Sequence, residues 1–551
     1  MTPRGDTTKN GRAVGIMMAG PAILLWVLGT AGGRTLPGVF DLAVLGAGPT
    51  GITAAVKSAQ LGRRAILIDD PGTGAKVQVG GPSGLFSKAL RDVSKKLNVN
   101  TLRSMGMLDS AIWAQAQALC REIALVETQN TVRRLQRAGV PRIQGAASFA
   151  ELRPDGTVVL RCRMRDGSDL LINTQRALVA TGSKAWAAPG VPLDGRRVLD
   201  SDSISKLTYL PTSVCITGSG IIAIEFAKIF AALGAKVVLL VRGSSLDSAL
   251  GKFGMDPSFG GEVLSSLLEG GVELRFNTEV VPGSFVVPSS LSAPIQLRVR
   301  STKPTEPCDA TDACAELRCD CYMLAAGRDP NTAELALDRI GASVSSKGAL
   351  VVDRTLCALP ERVWGAGDVL GPPSLASTGV QQATAAVDEM FGARGTRSAM
   401  HAGGADLRPA ALVGNPFRYA VGIWTTPEMA YFGQSAQHAA SMGIDAVEGL
   451  ARYADTLRGH VNRCKFGTLK LIVETRTGAV IGVFLFGDEA CELVHYGMEL
   501  VANERTVFDV RDTMFAAVTF HELFTLAADD AIAKLAERGS GAEVVARGLR
   551  G

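Results

Sequence analysis

The chain has 551 residues, of which 47% are hydrophobic and 20% charged, with a net charge of +4. That length accommodates three or four domains with sizeable cores, and the composition is that of an ordinary globular protein. Lys and Arg are spread along the chain, which excludes a dedicated nucleic-acid binder, and ten cysteines are too few for a disulfide-stapled scaffold of this size.

The first residues stand apart. Arg4, Lys9 and Arg12 precede an apolar run from Ala13 to about Gly33. A basic start, an apolar middle and small residues at the end have the form of a targeting segment. A membrane anchor is the alternative, against which Pro21 and five glycines count. Residues 1–38 are therefore read as a targeting or anchor segment, bound for an organelle (mitochondrion or plastid) or the secretory route. Folded structure is expected from near Val39, with no further membrane-spanning stretch.

Phe40 to Leu45 is a short apolar strand that runs straight into Gly46-Ala47-Gly48-Pro49-Thr50-Gly51. An apolar helical stretch follows to Leu61, then a strand from Ala65 to Ile68 that ends in Asp69. Strand, glycine turn, helix, strand and acid make a complete dinucleotide fingerprint. Gly46 permits the tight turn, Gly48 lets the backbone approach a pyrophosphate, and Gly51 lets helix and strand pack closely, while Asp69 can accept hydrogen bonds from ribose hydroxyls.

A helix is expected from about Asp109 to Ala138, and then short strands with a turn at Asp155-Gly156. Leu178-Val179-Ala180-Thr181-Gly182 closes this first region. The fingerprint then recurs. A strand from Ser213 to Thr217 enters Gly218-Ser219-Gly220-Ile221-Ile222-Ala223, a helix runs through Ala232, and a strand from Lys236 to Val241 ends in Arg242. A cation there suits a 2′-phosphate where a carboxylate would repel it, which gives the second site a bias to NADP; a solvated strand-end arginine is the plainer alternative.

Cys308, Cys314, Cys319 and Cys321 crowd one stretch. A metal site and reduced thiols in a surface insertion are the two readings, and the absence of paired C-x-x-C spacing or a nearby histidine favours the second. Met323 to Asn331 is expected to return the chain to the first domain, followed by Arg362 to Asp368, whose closing Gly367-Asp368 can set a carboxylate at a ribityl chain. Beyond about Ala411, strand signals near Tyr419–Trp424, Thr468–Glu474 and Val480–Phe486 and helices over Cys491–Asn503 and Phe520–Leu535 indicate a separate α+β domain.

Together, the two fingerprints, the Ala180-Thr181-Gly182 turn, Gly327-Arg328 to Asn331 and Gly367-Asp368 resemble the pyridine nucleotide–disulfide oxidoreductase family over nearly all of residues 39–540. Within it, the soluble, Si-specific pyridine nucleotide transhydrogenase branch is the most similar. The indicative stretches are Ser87-Lys88-Ala89-Leu90-Arg91, Pro373 to Ser377, Phe466 to Lys470 and Phe486 to Ala490 running on to His495. The resemblance implies an α/β chain with two Rossmann-like domains, the second inserted in the first, and a C-terminal α+β dimerisation domain. The implied divisions are 39–190 and 323–405 for FAD, 191–322 for NAD(P), and 411–540 for pairing into a homodimer. It also implies FAD as cofactor, nicotinamide nucleotides as substrates, Gly327 in the NAD(P) site, and a Lys88–Glu225 ion pair beside the flavin N5.

Two departures matter. The C-x-x-x-x-C pair of disulfide-reducing members falls on Val79 and Gly84, and no cysteine precedes Cys120. A thiol relay therefore lacks its sulfurs, whereas hydride exchange confined to the flavin needs none. At the other end His521 fits the relay's acid–base histidine, but Leu526 stands where its glutamate partner would be, and an interface histidine without catalytic duty is the alternative. The resulting expectation is FAD-dependent hydride transfer between NADPH and NAD. An NAD(P)H diaphorase or quinone reductase and a catalytically silent flavin-binding subunit are the alternatives.

Overall fold

The computed structural model describes residues 34–70, 84–251, 254–303, 314–392 and 419–538. The targeting or anchor segment, apart from its last five residues, lies outside the described residues, as do Val79 and Cys308. Among the described residues no helix is long and apolar enough to cross a membrane, and no group of side chains is arranged to hold a metal ion.

The first domain begins with β1 (Arg34–Leu45), five residues earlier than Val39, with an irregularity in register between Thr35 and Val39. Its second half, Leu42 to Leu45, is buried on both faces, as a central parallel strand must be. α1 (Pro49–Gln60) and β2 (Ala65–Asp69) complete the first fingerprint. α2 (Leu85–Lys96) and the 29-residue α3 (Asp109–Arg137) follow, then β3 (Arg142–Leu152), β4 (Val158–Met164) and β5 (Asp169–Val179). β1 pairs in parallel with β2 on one side and β5 on the other, and β2 with β3. β4 joins β3 to β5 as an antiparallel meander.

The second domain is a smaller parallel sheet. It contains β6 (Val198–Asp200), β7 (Ser213–Thr217), α4 (Ile221–Ala232), β8 (Lys236–Leu240) and β9 (Val272–Arg275). An antiparallel ribbon of β10 (Thr278–Val280), β11 (Ile295–Ser301) and β12 (Cys314–Cys319) leads into β13 (Cys321–Leu324), which lies between β7 and β6. This corrects two expectations. The boundary at residue 322 falls inside β13, so the return to the first domain comes after Leu324. Cys319 and Cys321 are buried in adjoining strands rather than carried on a surface insertion. A short run of small apolar thiols bounded by charged residues conceals a core strand.

The chain re-enters the first sheet through an antiparallel edge strand, Cys357–Leu359, then β14 (Val363–Gly365), parallel to β5, and continues into α5 (Ala376–Phe391). The C-terminal domain is a five-stranded antiparallel sheet of β15 (Val421–Ile423), β16 (Glu428–Gly433), β17 (Ala446–Arg452), β18 (Thr468–Glu474) and β19 (Val480–Gly487). Its order is β15-β16-β19-β18-β17, and it packs against α6 (Ala490–Ala502) and α7 (Glu522–Glu537). The fold is thus α/β with one doubly wound unit inserted in another and an α+β domain at the end.

Candidate active site

Three helices aim their N-termini at one cavity of about 2590 Å³, and none of the three has a side-chain cap. The cavity is lined by Gly48-Pro49-Thr50 at α1, Gly220-Ile221-Ile222 at α4 and Leu375-Ala376-Ser377 at α5. Uncapped N–H groups at a helix start are donors waiting for an anion.

The local geometry explains each turn. Gly46 has φ +110°, and a Cβ there would stand 2.2 Å from the Ala180 carbonyl oxygen. A Cβ on Gly51 would stand 1.9 Å from the Gly46 carbonyl oxygen. Gly48 differs: nothing in the protein lies within 4 Å of its Cβ position, and it faces the cavity. Bare backbone beside an uncapped helix start is a cradle of the size and polarity that a pyrophosphate requires, so the residues present fit FAD here. In the second fingerprint Gly218, at φ +144°, abuts the Ala325 carbonyl oxygen, while Ala223 fills the third position fully buried.

The first acid, Asp69, lines the cavity as expected but is ion-paired with Arg142, so its carboxylate is shared. Ala180, Thr181 and Gly182 line the junction of the two domains. There the Thr181 hydroxyl donates to the Asn331 carbonyl, and the Asn331 amide donates back to the Thr181 carbonyl at 3.1 Å. Asp368 follows Gly367, whose positive φ and tight approach to Thr50 exclude a side chain. Asp368 Oδ2 accepts from Ser183 Oγ at 2.8 Å, Ser183 Oγ accepts from Arg328 Nε at 2.8 Å, and Arg328 Nη1 reaches Asp202 Oδ1 at 2.9 Å. Gly327 lines the same wall.

Deeper in, the cavity brings together Lys88 and Glu225, 137 residues apart. Lys88 Nζ lies 3.1 Å and 2.9 Å from the two carboxylate oxygens of Glu225. The Glu225 side chain is 3% exposed and that of Lys88 is 33% exposed, so the pair is anchored in protein and opens on the lysine side. The Trp424 backbone N–H also donates to Glu225 Oε1, at 2.9 Å. That contact comes from the C-terminal domain of the same chain. Gly84, the position of the second relay cysteine, also lines the cavity, and a Cβ there would stand 3.3 Å from Lys88 Nζ.

Sequence reading missed a layer beneath this pair. Arg91, three residues after Lys88 on α2, is buried; its Nη1 donates to Glu428 Oε1 at 3.0 Å, and its guanidinium lies 4.5 Å from the Trp424 ring centroid. Glu428 Oε2 accepts from the backbone N–H of Cys491 at 3.1 Å. The i, i+3 spacing of Lys88 and Arg91 was the available signal; Glu428, 337 residues from Arg91, carried none. Cys491 is the one cavity-lining cysteine among the described residues. Burial, and after it the charge of Glu428, pushes its thiol far above the ordinary range.

The structure does not bring His521 to this cavity. It sits half-buried before α7, ring-on-ring with Phe515 (5.8 Å) and Phe524 (6.2 Å) and near Tyr496. The neighbouring Glu522 accepts from the Val518 N–H at 3.0 Å, and Leu526 is exposed. Arg242 lines the cavity, 84% exposed, at the end of β8 and beside Glu279.

Comparison with known proteins places the chain in a family. The pyridine nucleotide-disulphide oxidoreductase model matches residues 40–389, and the dimerisation domain of the same family matches residues 419–528. A soluble pyridine nucleotide transhydrogenase from Marinobacter nauticus is 28% identical over 507 residues, covering 89% of this chain and 97% of that protein. The protein of the same name from Mycobacterium tuberculosis is 29% identical, covering 90% and 98%. Among solved structures, the HOCl-induced flavoprotein disulfide reductase RclA from Escherichia coli superposes with a TM-score of 0.70 at 23% identity, covering 89% of this chain and 99% of that one. LpdA from Mycobacterium tuberculosis superposes with a TM-score of 0.72 at 23% identity, with the same coverage. These two likenesses speak to the fold. The chain belongs to the pyridine nucleotide–disulphide oxidoreductase family and is an FAD-dependent oxidoreductase of pyridine nucleotides, with that family's dimerisation domain at its C-terminus.

Proposed function

We propose that this protein transfers hydride between NADPH and NAD+ without any disulfide intermediate. The observation that carries the reading is the wall around Lys88. Glycine stands at residue 84, where a relay would need sulfur, and the cavity-lining Cys491 is held as a neutral thiol. The relatives' shared name, over some nine-tenths of the chain, supports the same reaction.

Bound FAD supplies the centre that takes hydride from one nucleotide and returns it to the other. The chain's own residues do the rest. The Gly46–Gly48 turn and the start of α1 bind a pyrophosphate, as Gly218–Gly220 and the start of α4 do for the incoming nucleotide. Asp368, oriented by Ser183 and Arg328, offers a fixed acceptor to hydroxyl groups. Glu225 holds the Lys88 ammonium at the cavity face, where a fixed positive charge favours the reduced, more negative state of whatever ring lies against it. Hydride exchange on the flavin requires no proton relay, so His521, in the dimerisation domain, is read as an interface histidine without catalytic duty. The C-terminal domain pairs two chains into a homodimer, and residues 1–38 direct the chain to an organelle or the secretory route.

The test is steady-state turnover with NADPH as donor and thio-NAD+ as acceptor. Parallel-line, two-step kinetics are expected, with each nucleotide competing for the other's form of the enzyme. Oxidation of NADPH that depends on a quinone and ignores thio-NAD+ would instead make the protein a diaphorase.

A further inference from the structure

NAD(H) and NADP(H) differ only at the adenosine 2′ position. A pyrophosphate held at the start of α4 puts that ribose near the end of β8, about 20 residues beyond the glycine turn. There the cavity is walled by Arg242 and Ser245 on one side and by Thr278 and Glu279 on the other.

Arg242 and Glu279 are held very differently. Glu279 lies directly across the β10–β11 ribbon from Arg300, whose Nη2 and Nε reach its Oε1 at 2.7 and 2.8 Å. That two-pronged grip through one oxygen fixes the carboxylate and covers much of its charge. The other oxygen, Oε2, stands 3.6 Å from Arg242 Nε, beyond hydrogen-bond reach. Arg242 is 84% exposed and free to turn.

We propose that Arg242 and Glu279 form a two-way reader of the 2′ position. Glu279 Oε2 accepts from the ribose hydroxyl of NAD(H), and Arg242 swings to pair with the 2′-phosphate of NADP(H). Arg300 is a positioning residue that keeps the carboxylate from repelling the phosphate. Two guanidiniums against one carboxylate leave the corner net positive, so a dianion is tolerated, while an ordered acceptor persists for a hydroxyl. This rests on the transhydrogenase reading, which requires one corner to accept both nucleotides. It also explains why an arginine can stand at the fingerprint's acid position without abolishing NAD binding: the acid comes from β10 instead.

The test uses ligands that carry no nicotinamide, so it reads the corner independently of hydride chemistry. Calorimetric binding of adenosine 2′,5′-bisphosphate and of 5′-AMP would be measured on the full-length flavoprotein. Arg242→Ala is expected to weaken the bisphosphate about ten-fold and to leave 5′-AMP within two-fold, since one charged hydrogen-bonding pair is lost. Glu279→Gln is expected to weaken 5′-AMP about five-fold and to leave the bisphosphate unchanged or tighter. If both variants shift the two ligands together, if neither shifts either, or if the wild type binds neither, the reader is wrong. A wild type that distinguishes the fragments as expected yet fails to reduce thio-NAD+ would leave the reader standing and remove the transhydrogenase reading.

Discussion

Gly46 and Gly48 lie two residues apart in one turn and are required for different reasons. Gly46 carries a left-handed backbone angle and has no room for a Cβ against Ala180, so Gly46→Ala strains the apoprotein itself. Gly48 has ordinary dihedrals and open space, so Gly48→Ala is expected to leave apoprotein melting within 1–2 °C while lowering the FAD-to-protein ratio several-fold. Unchanged flavin content in Gly48→Ala would move the pyrophosphate elsewhere. Lys88 is the other residue with a sharp expectation. Lys88→Met should slow flavin bleaching by NADPH about 100-fold, the usual scale for removing one preorganised charge, with Lys88→Arg recovering part of the loss. A rate within three-fold of wild type in Lys88→Met would deny the charge any role. Cys491 tests the absence of a relay. Its thiol lies well above the ordinary range because burial, and then Glu428, disfavour the thiolate, so at pH 8 it is less ionised than a free cysteine. N-ethylmaleimide at that pH should therefore spare activity, and inactivation that tracks modification of Cys491 would contradict this.

α2 is where the domains meet. Lys88 and Arg91 leave the same face, one to Glu225 of the nucleotide domain and one to Glu428 of the C-terminal domain, and Trp424 touches both sets. Both partners of the Arg91–Glu428 pair are buried, while Asp92 also accepts from Arg91 and Lys95 lies 3.7 Å from Glu428, so removing one leaves the other partly compensated. Arg91→Met should cost about 1–3 kcal/mol and Arg91→Met with Glu428→Met distinctly less than the sum of the two single losses, measured by denaturant unfolding. Additive losses would mean that the pair is not coupled. The elements carrying this layer were the least legible in sequence. β16 is buried along its whole length, so no alternation marks it, and its Glu428 reads as a surface acid. β17 has an alternating pattern but only Val447, Gly449 and Ala451 on its inner face, because α7 packs so close that a Cβ on Gly449 would stand 2.1 Å from the Ala527 carbonyl oxygen. The two fingerprints, by contrast, were legible to within a residue or two except at the start of β1, because glycine turns, apolar strands and helix starts are all local signals.

At the scale of the whole molecule, the C-terminal domain is part of the site's frame. Trp424 donates to Glu225, and the buried Lys470 of β18 ties Asp256 and Ser258 of the nucleotide domain at 2.8 Å each. Neither contact could be read from sequence, since each joins residues about 200 positions apart and nothing local ties Glu225 to Trp424 or Lys470 to Asp256. What the sequence did carry was the order of motifs and the missing sulfurs, and the folded cavity gives that omission a location, beside Lys88. The most direct test is an anaerobic titration of the purified holoprotein. NADPH should bleach the flavin band with two electrons per FAD and no further uptake, and NAD+ added afterwards should restore it fully. Uptake of four electrons, or a bleached band that NAD+ leaves unchanged, would contradict hydride exchange confined to the flavin.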